Sequence, residues 1–333
     1  MFCRSRSSTI PSATSFTPGT SVTDEIKNIS TMAVHSIEPK MSVVLRSSDE
    51  APVDFSIYKA LLIISSPFFA ELLSLPQPSN TPEDEMNEGS AIIQMAEPAE
   101  TIERLLPFLY PRSFTMPHLA TLEELQTTLQ MASKYDMKGV ETCLGEVLVA
   151  PRFVEEDPMR VFAMACRYGL EDAARIAAKH TLRLSLPERH YVAEMEHISA
   201  GNLQRLVDYY FACSAVAASV ARDFSWVMKD TFSFFHRGGC SCSASTYVLI
   251  AGGSMNVPAR AWWLNYMKRM GEALKERPSV TTLMKRDLME EVFEKTKTCA
   301  CGRKTILDMW DFREIFSAEL DKRISEVELV LNL

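Results

Sequence analysis

The sequence predicts an α+β fold, a small sheet sheathed in helices, followed by a mostly α-helical C-terminal region. Three observations carry that expectation. Residues 53–57 place Val53, Phe55 and Ile57 at a period of two, the mark of a half-buried strand, and the chain then turns directly into an apolar helix. The Ser66-Pro67 step restarts the chain as a second helix, with Ser as N-cap and Pro at the first helical position. Beyond Pro151 the apolar residues recur almost entirely at spacings of three and four.

Taken in order, residues 42–46 (SVVLR) read as a strand, 47–52 as turn residues and 53–57 as the hairpin partner. Helices over 58–64 and 67–75 follow. The segment 76–89, PQPSNTPEDEMNEG, is polar, acidic and rich in Pro, hence a surface loop, and 91–95 reads as another strand. Ile102, Leu105, Leu106, Leu109 and Tyr110 share one helical stripe, kinked at Pro107 because an interior Pro costs a helix roughly 3 kcal/mol. Thr121 with Glu124 is a capping box for a helix whose apolar face is Leu122, Leu125, Leu129 and Ala132. Val140, Cys143, Leu144, Val147 and Leu148 form the next stripe, and Pro151 ends it.

After Pro151 the reading is helical. Asp157-Pro158 is an N-cap with Pro behind it, Val161, Phe162, Ala165 and Cys166 face inward, Gly169 closes the helix, and 173–182 makes an antiparallel partner. Leu203, Leu206, Val207, Tyr210, Cys213 and Ala217 mark a longer helix. A loop region holding Gly238, Gly239, Gly252 and Gly253 then leads to a C-terminal helical part. Its last helix carries Met309, Phe312, Phe316, Leu320, Ile324, Val327 and Leu331. The organisation expected is a Ser/Thr/Pro-rich disordered tail (1–40), an α+β domain (41–150), a helical extension (151–225) and a helical C-terminal region (226–333).

The chain has 43 acidic against 35 basic residues, a net charge of -8, which argues against a broad basic face for nucleic acid. No apolar stretch approaches the roughly 20 residues needed to cross a bilayer. Eight cysteines without a secretory signal point to a reducing compartment, so the protein is expected in the cytoplasm or nucleus.

The blocks VDFSIYKALLIISSPFFAELLSLP (53–76), IERLLPFLYP (102–111) and ASKYDM (132–137) together resemble the BTB/POZ domain. There a strand leads into "HKALLAASSPFF", a later helix ends in "LLxFLYP" and another closes in "AxKYDM". Residues 153–186 resemble the continuation seen in BTB-domain proteins of basidiomycete fungi, which suggests a BACK-like helical extension. Tyr58 stands where the family usually has His; its ring and hydroxyl can still pack and bond.

The resemblance implies a protein-interaction module, non-enzymatic, that self-associates and recruits protein partners. A homodimer is the expectation, built on the apolar surface of Leu61, Leu62, Phe68, Phe69 and Leu72. Two uses follow from the resemblance, as substrate adaptor of a cullin-type ubiquitin ligase or as a scaffold in transcriptional regulation; membrane and nucleic-acid partners are not expected.

The sharpest chemical constellation is two Cys-x-Cys pairs, Cys240/Cys242 and Cys299/Cys301, with His236 four residues before the first. Four thiolates bind zinc tetrahedrally, so a structural Zn with His236 as alternate ligand is one reading; plain reduced thiols are the other, and a disulfide the third. Four thiolates leave no open position for water, so such a zinc staples rather than catalyses. Cys143, Cys166 and Cys213 fall on helical apolar faces and read as small core residues. No phosphate loop, nucleophile elbow or HExxH helix occurs, and the histidines are scattered; His180 reads as packed rather than as a base. An enzyme of the C-terminal half using cysteine or zinc is the alternative, and it lacks a base at recognisable spacing. Trp262, Trp263, Tyr266, Phe232, Phe234 and Phe235 read as core before ligand platform. Lys268, Arg269, Lys275 and Arg277 interleave with Glu272 and Glu276 as a solvated face.

Overall fold

A continuous apolar run, Val43-Val44-Leu45, forms the heart of the first unit: successive side chains point to opposite faces and all three are buried, so this central strand is covered on both faces. In the computed structural model, which describes residues 41–75, 86–87, 90–110, 119–235, 244–297 and 302–333, β1 (Ser42–Arg46) pairs antiparallel with β2 (Asp54–Tyr58) and parallel with β4 (Ser90–Gln94). The short β3 (Met86–Asn87) lies antiparallel on the far side of β4, giving the order β2-β1-β4-β3. Register across β1 and β2 is closed by Arg46, whose Nε and Nη2 donate to the Asp54 carboxylate at 2.7 and 2.8 Å. That bidentate contact holds the Asp54 carboxyl below its usual range.

The chain leaves β2 into α1 (Lys59–Ser65) and restarts at α2 (Pro67–Ser74). The buried Ser66 hydroxyl accepts from the Phe69 N–H at 3.1 Å, and Pro67 occupies the position where a missing N–H costs nothing. Helix α3 (Ala99–Leu105) passes into a 3-10 turn, Leu106–Leu109, at Pro107, which cannot donate to the preceding turn. Asp49 caps α3 from a distance: its carboxylate accepts from the Ala99 N–H at 2.7 Å and is held low by hydrogen bonds from Ser47 and that amide.

The chain divides into two compact units between Met116 and Pro117. The second unit begins with α4 (Leu122–Lys134), opened by the capping box: Thr121 Oγ1 accepts from Glu124 N at 3.2 Å and the Glu124 carboxylate accepts from Thr121 N at 3.3 Å. Helices α5 (Lys138–Leu148), α6 (Pro151–Val154), α7 (Pro158–Arg167) and α8 (Glu171–Thr181) follow, and α5 packs on both α7 and α8. Arg160 on α7 fastens this group. Its Nη1 donates to Glu123 on α4 at 2.6 Å, and its Nε to Glu194 at 2.7 Å. These contacts explain why α4 and α5, continuous in sequence with the first unit, are integrated into the second. Gly169, at φ +68°, makes the left-handed turn that lets α8 fold back on α7.

After helix α9 (Ala200–Val220), where the sequence predicts a loop, the structure has an antiparallel hairpin of β5 (Ala244–Ile250) and β6 (Met255–Arg260). Pro258 argues against a strand in a larger sheet, but a two-stranded ribbon leaves each strand an unpaired edge where Pro is tolerated. The turn uses Ala251, Gly252 and Gly253, all at positive φ. Helices α10 (Ala261–Glu276), α11 (Arg286–Thr296) and α12 (Gly302–Ser325) complete the unit.

Helix α12 stops at Ser325, so Val327 and Leu331 lie beyond it rather than on its stripe. The extended end is held by the buried Asn202, which donates to Asn332 O at 3.0 Å and accepts from Asn332 N at 3.1 Å. Trp263, Phe234 and Phe312 are buried together: Phe234 stacks on Trp263 at 4.9 Å, Phe312 meets Phe234 edge-on at 5.3 Å, and Trp226 stacks on Phe316 at 5.3 Å. Phe232, Phe234, Phe235, Trp263 and Tyr266 are core, as their density implies, whereas Trp262, expected with them, is half-buried.

Candidate interaction face

Helix α1 contains Ala60, Leu61, Leu62, Ile63 and Ile64 without interruption, and α2 brings Phe68, Phe69, Leu72 and Leu73. Seven helical residues cannot bury five consecutive apolar side chains against one core, because they point round the whole helix. Packing selects Leu62 and Phe69, each 0% exposed, with Leu73. The others are left outward: Ile64 is 82% exposed and Phe68 44%, with Ile63, and Tyr58 at the end of β2, also exposed. The Phe68 ring stands edge-on to the buried Phe69 ring at 5.2 Å, a rigid footing for an outward aromatic. Charge is sparse on this hairpin. Glu71 is the only acid of α1 and α2, and the only base, Lys59, gives its ammonium to the Leu73 carbonyl at 3.2 Å.

Of the five residues expected at a contact surface, the structure corrects two: Leu62 and Phe69 are interior. Leu61 and Leu72 are half-buried, and Phe68 is exposed as expected. Tyr58, Ile63 and Ile64, exposed as well, are not among those five. An all-apolar run carries no helical phase, and the phase is set by the Ser66 break and the sheet beneath. The Tyr58 hydroxyl makes no hydrogen bond among the described residues, so the bonding role open to it is not taken up; its neighbour Tyr110 has its hydroxyl pushed up by burial and by Tyr58. Neither Asp49 nor Asp54 is buried, and Glu50 is exposed.

Cys240, Cys242, Cys299, Cys301 and His236, the metal candidates, lie outside the described residues. Among the described residues no three His, Cys, Asp or Glu side chains are grouped to hold a metal ion. The described flanks of the two cysteine segments do meet. The Ser233 N–H donates to Asp308 Oδ2 at 2.5 Å, the Ser233 and Thr305 hydroxyls are 3.2 Å apart, and Lys304 Nζ donates to Thr231 O at 3.0 Å.

Burial pushes the Cys166 thiol up to about 12 and the Cys213 thiol up to about 11, which makes both inert core residues; Cys143 is half-buried. His180 is half-buried with its pKa lowered by desolvation and by Arg183, and its Nδ1 has no partner, an arrangement without the orienting acid a general base needs. Lys275 pairs with Glu272 at 2.8 Å and Arg277 with Glu188, so the interleaved charges are a solvated, mutually paired face. Glu155 and Glu290, each from an acidic doublet, pair with Arg183 and Arg286. Among the described residues no helix is long and apolar enough to cross a membrane.

Comparison with known families finds one match: the BTB/POZ domain family model covers residues 41–151, about a third of the chain. The chain therefore carries a BTB/POZ domain, a protein-interaction module that is typically non-enzymatic. It spans the sheet, the α1–α2 hairpin and the helices through α5. No curated protein matches the chain.

Proposed function

We propose that this chain is a non-enzymatic interaction protein that self-associates through the uncharged face formed by Tyr58, Ile63, Ile64 and Phe68. The observation that carries the reading is the outward Ile64 and Phe68 on a short hairpin whose one cation is engaged by a backbone carbonyl. Apolar side chains grouped in this way mark a contact surface. A second copy presents the same patch, and a two-fold arrangement makes such a patch self-complementary.

Light scattering on the full chain, with Ile64→Glu and Phe68→Glu variants, tests the reading. The wild type is expected at twice the 37.5 kDa chain mass and the variants at the chain mass. Because both positions are exposed, the glutamates change the folded monomer by less than about 0.5 kcal/mol, whereas burying a charge in the contact prevents it from forming. A wild type that is monomeric at micromolar concentration removes the proposal.

A second reading concerns the cysteine pairs: a structural zinc held by Cys240, Cys242, Cys299 and Cys301. Its support is the hydrogen-bonded meeting of the flanking residues 231–233 and 304–308, distant in sequence and adjacent in the fold. Metal analysis is expected to find about one zinc per chain, lost in Cys240→Ser/Cys299→Ser. Absence of zinc from protein purified without chelator makes the cysteines ordinary thiols.

A further inference from the structure

Between α10 and α11 lies a cleft of about 450 Å³, within the size range of sites that bind small ligands or single peptide side chains. Its lining repeats at helical spacing on both sides, Trp262, Tyr266 and Arg269 from one helix and Leu288, Val292 and Lys295 from the other. The inner wall is apolar, with Tyr266, Leu288 and Val292 buried. Two polar atoms on lining residues are unsatisfied: the indole N–H of Trp262 and the hydroxyl of Tyr266 have no hydrogen-bond partner. Both atoms are buried within the wall and closed to an occupant of the cleft, so the choice of occupant rests with the rim.

Charge at the rim sets that choice. Glu291 is the one acid there, and it is engaged twice, by Arg269 and by Asn265 Nδ2 at 2.9 Å. Lys295 is exposed and forms no ion pair among the described residues, which leaves the rim with one uncompensated positive charge. An apolar wall under a single free cation is complementary to an apolar side chain with a carboxylate next to it.

We infer that this cleft is a docking site for a partner protein's peptide segment that pairs an apolar side chain with a carboxylate, the carboxylate meeting Lys295 and the side chain resting on Trp262, Leu288 and Val292. All the lining residues belong to the second unit and none to the α1–α2 hairpin. The cleft would let one unit read a partner while the other assembles copies.

The test uses the full chain labelled with 5-fluorotryptophan, whose four tryptophans give four fluorine resonances; Trp262→Phe identifies the relevant line. Two probes are titrated, N-acetyl-phenylalanine and its neutral amide. The expected result is a saturable shift of the Trp262 line, with the carboxylate binding about fivefold tighter than the amide, equivalent to ~1 kcal/mol for a partly exposed charge pair. Lys295→Ala and Lys295→Gln, at an exposed position, erase that preference and leave the Trp310 line in place. The inference is overturned by a Trp262 line that neither probe moves up to ~10 mM, where even millimolar affinity would register, or by a preference that survives both Lys295 substitutions. It is also overturned if the probes bind only after residues 79–88 are deleted, which would assign the cleft to the chain's own acidic segment.

Discussion

Replacing Arg160 with Met removes the one cation that, among the described residues, pairs with Glu194. The Glu194 side chain is 6% exposed and Arg160 20% exposed, and their contact is 2.7 Å from Nε to Oε1. Breaking a fully buried pair from one side costs about 3–5 kcal/mol, because the remaining charge is left uncompensated. Residual water access around Arg160 reduces this to about 2–3 kcal/mol, and the second contact, to the 68% exposed Glu123, adds no more than ~1 kcal/mol. Glu194→Gln alone leaves Arg160 paired with Glu123 and costs about 1 kcal/mol. The double variant therefore loses less than the sum, with a coupling of about 1.5–2 kcal/mol. All four tryptophans lie between residues 226 and 310, so fluorescence-detected denaturation reports the second unit alone; the melting temperature of Arg160→Met is expected to fall by about 5–10 °C. A loss under ~0.5 kcal/mol, with additive single effects, would refute the view that Arg160 ties α4 to the helices after it.

Arg189 presents the opposite case. Burial pushes its guanidinium down to about 10, its Nε and Nη1 have no partner, and it rests on the Tyr210 ring at 4.5 Å. Its cost to the fold is present at every pH below about 10, so Arg189→Met is expected to leave stability unchanged or raise it by ~1 kcal/mol in urea titration. Glu188 is held down to about 2, against an ordinary value of 4.5, chiefly by its hydrogen bonds from Arg277. A depressed carboxyl contributes stability above its unfolded pKa and loses it as pH falls through the folded value. Melting curves of wild type and Glu188→Gln should therefore differ at pH 6 and converge between about 4.5 and 2. Phe312, fully buried against Phe234, Trp263 and Phe316, is expected to cost about 3–5 kcal/mol as Ala, measured by the same fluorescence transition.

Elements that announce themselves locally were legible in the sequence. Ser66-Pro67, Thr121 with Glu124, and Asp157-Pro158 each satisfy a helix start with their own side chains, and each cap forms as read. Pro107 likewise turns a helix into a 3-10 turn through a donor it lacks. What stayed hidden depends on partners far away. The β5–β6 ribbon was obscured by Pro258 and its glycines, whose meaning changes with the number of neighbouring strands. Asp49 caps a helix 50 positions on, and Asn202 clamps a segment 130 positions on, neither with any local signature.

The proposed contact face was half legible for a physical reason of the same kind. Sequence locates an apolar surplus on α1 and α2 correctly, since more apolar residues are present than so short a hairpin can bury. It cannot assign which side chains are the surplus, because a helix that is apolar all round takes its phase from what it packs against. The sheet and the Ser66 break turn Leu62 and Phe69 inward, and this forces Ile64 and Phe68 outward. The same two constraints thus stabilise the domain and present its face. A substitution at Leu62 or Phe69 is therefore expected to abolish self-association by unfolding the hairpin, and one at Ile64 to abolish it with the hairpin intact. Measuring association and melting temperature together on Leu62→Ala and Ile64→Glu separates the two: loss of both for the first, loss of association alone for the second.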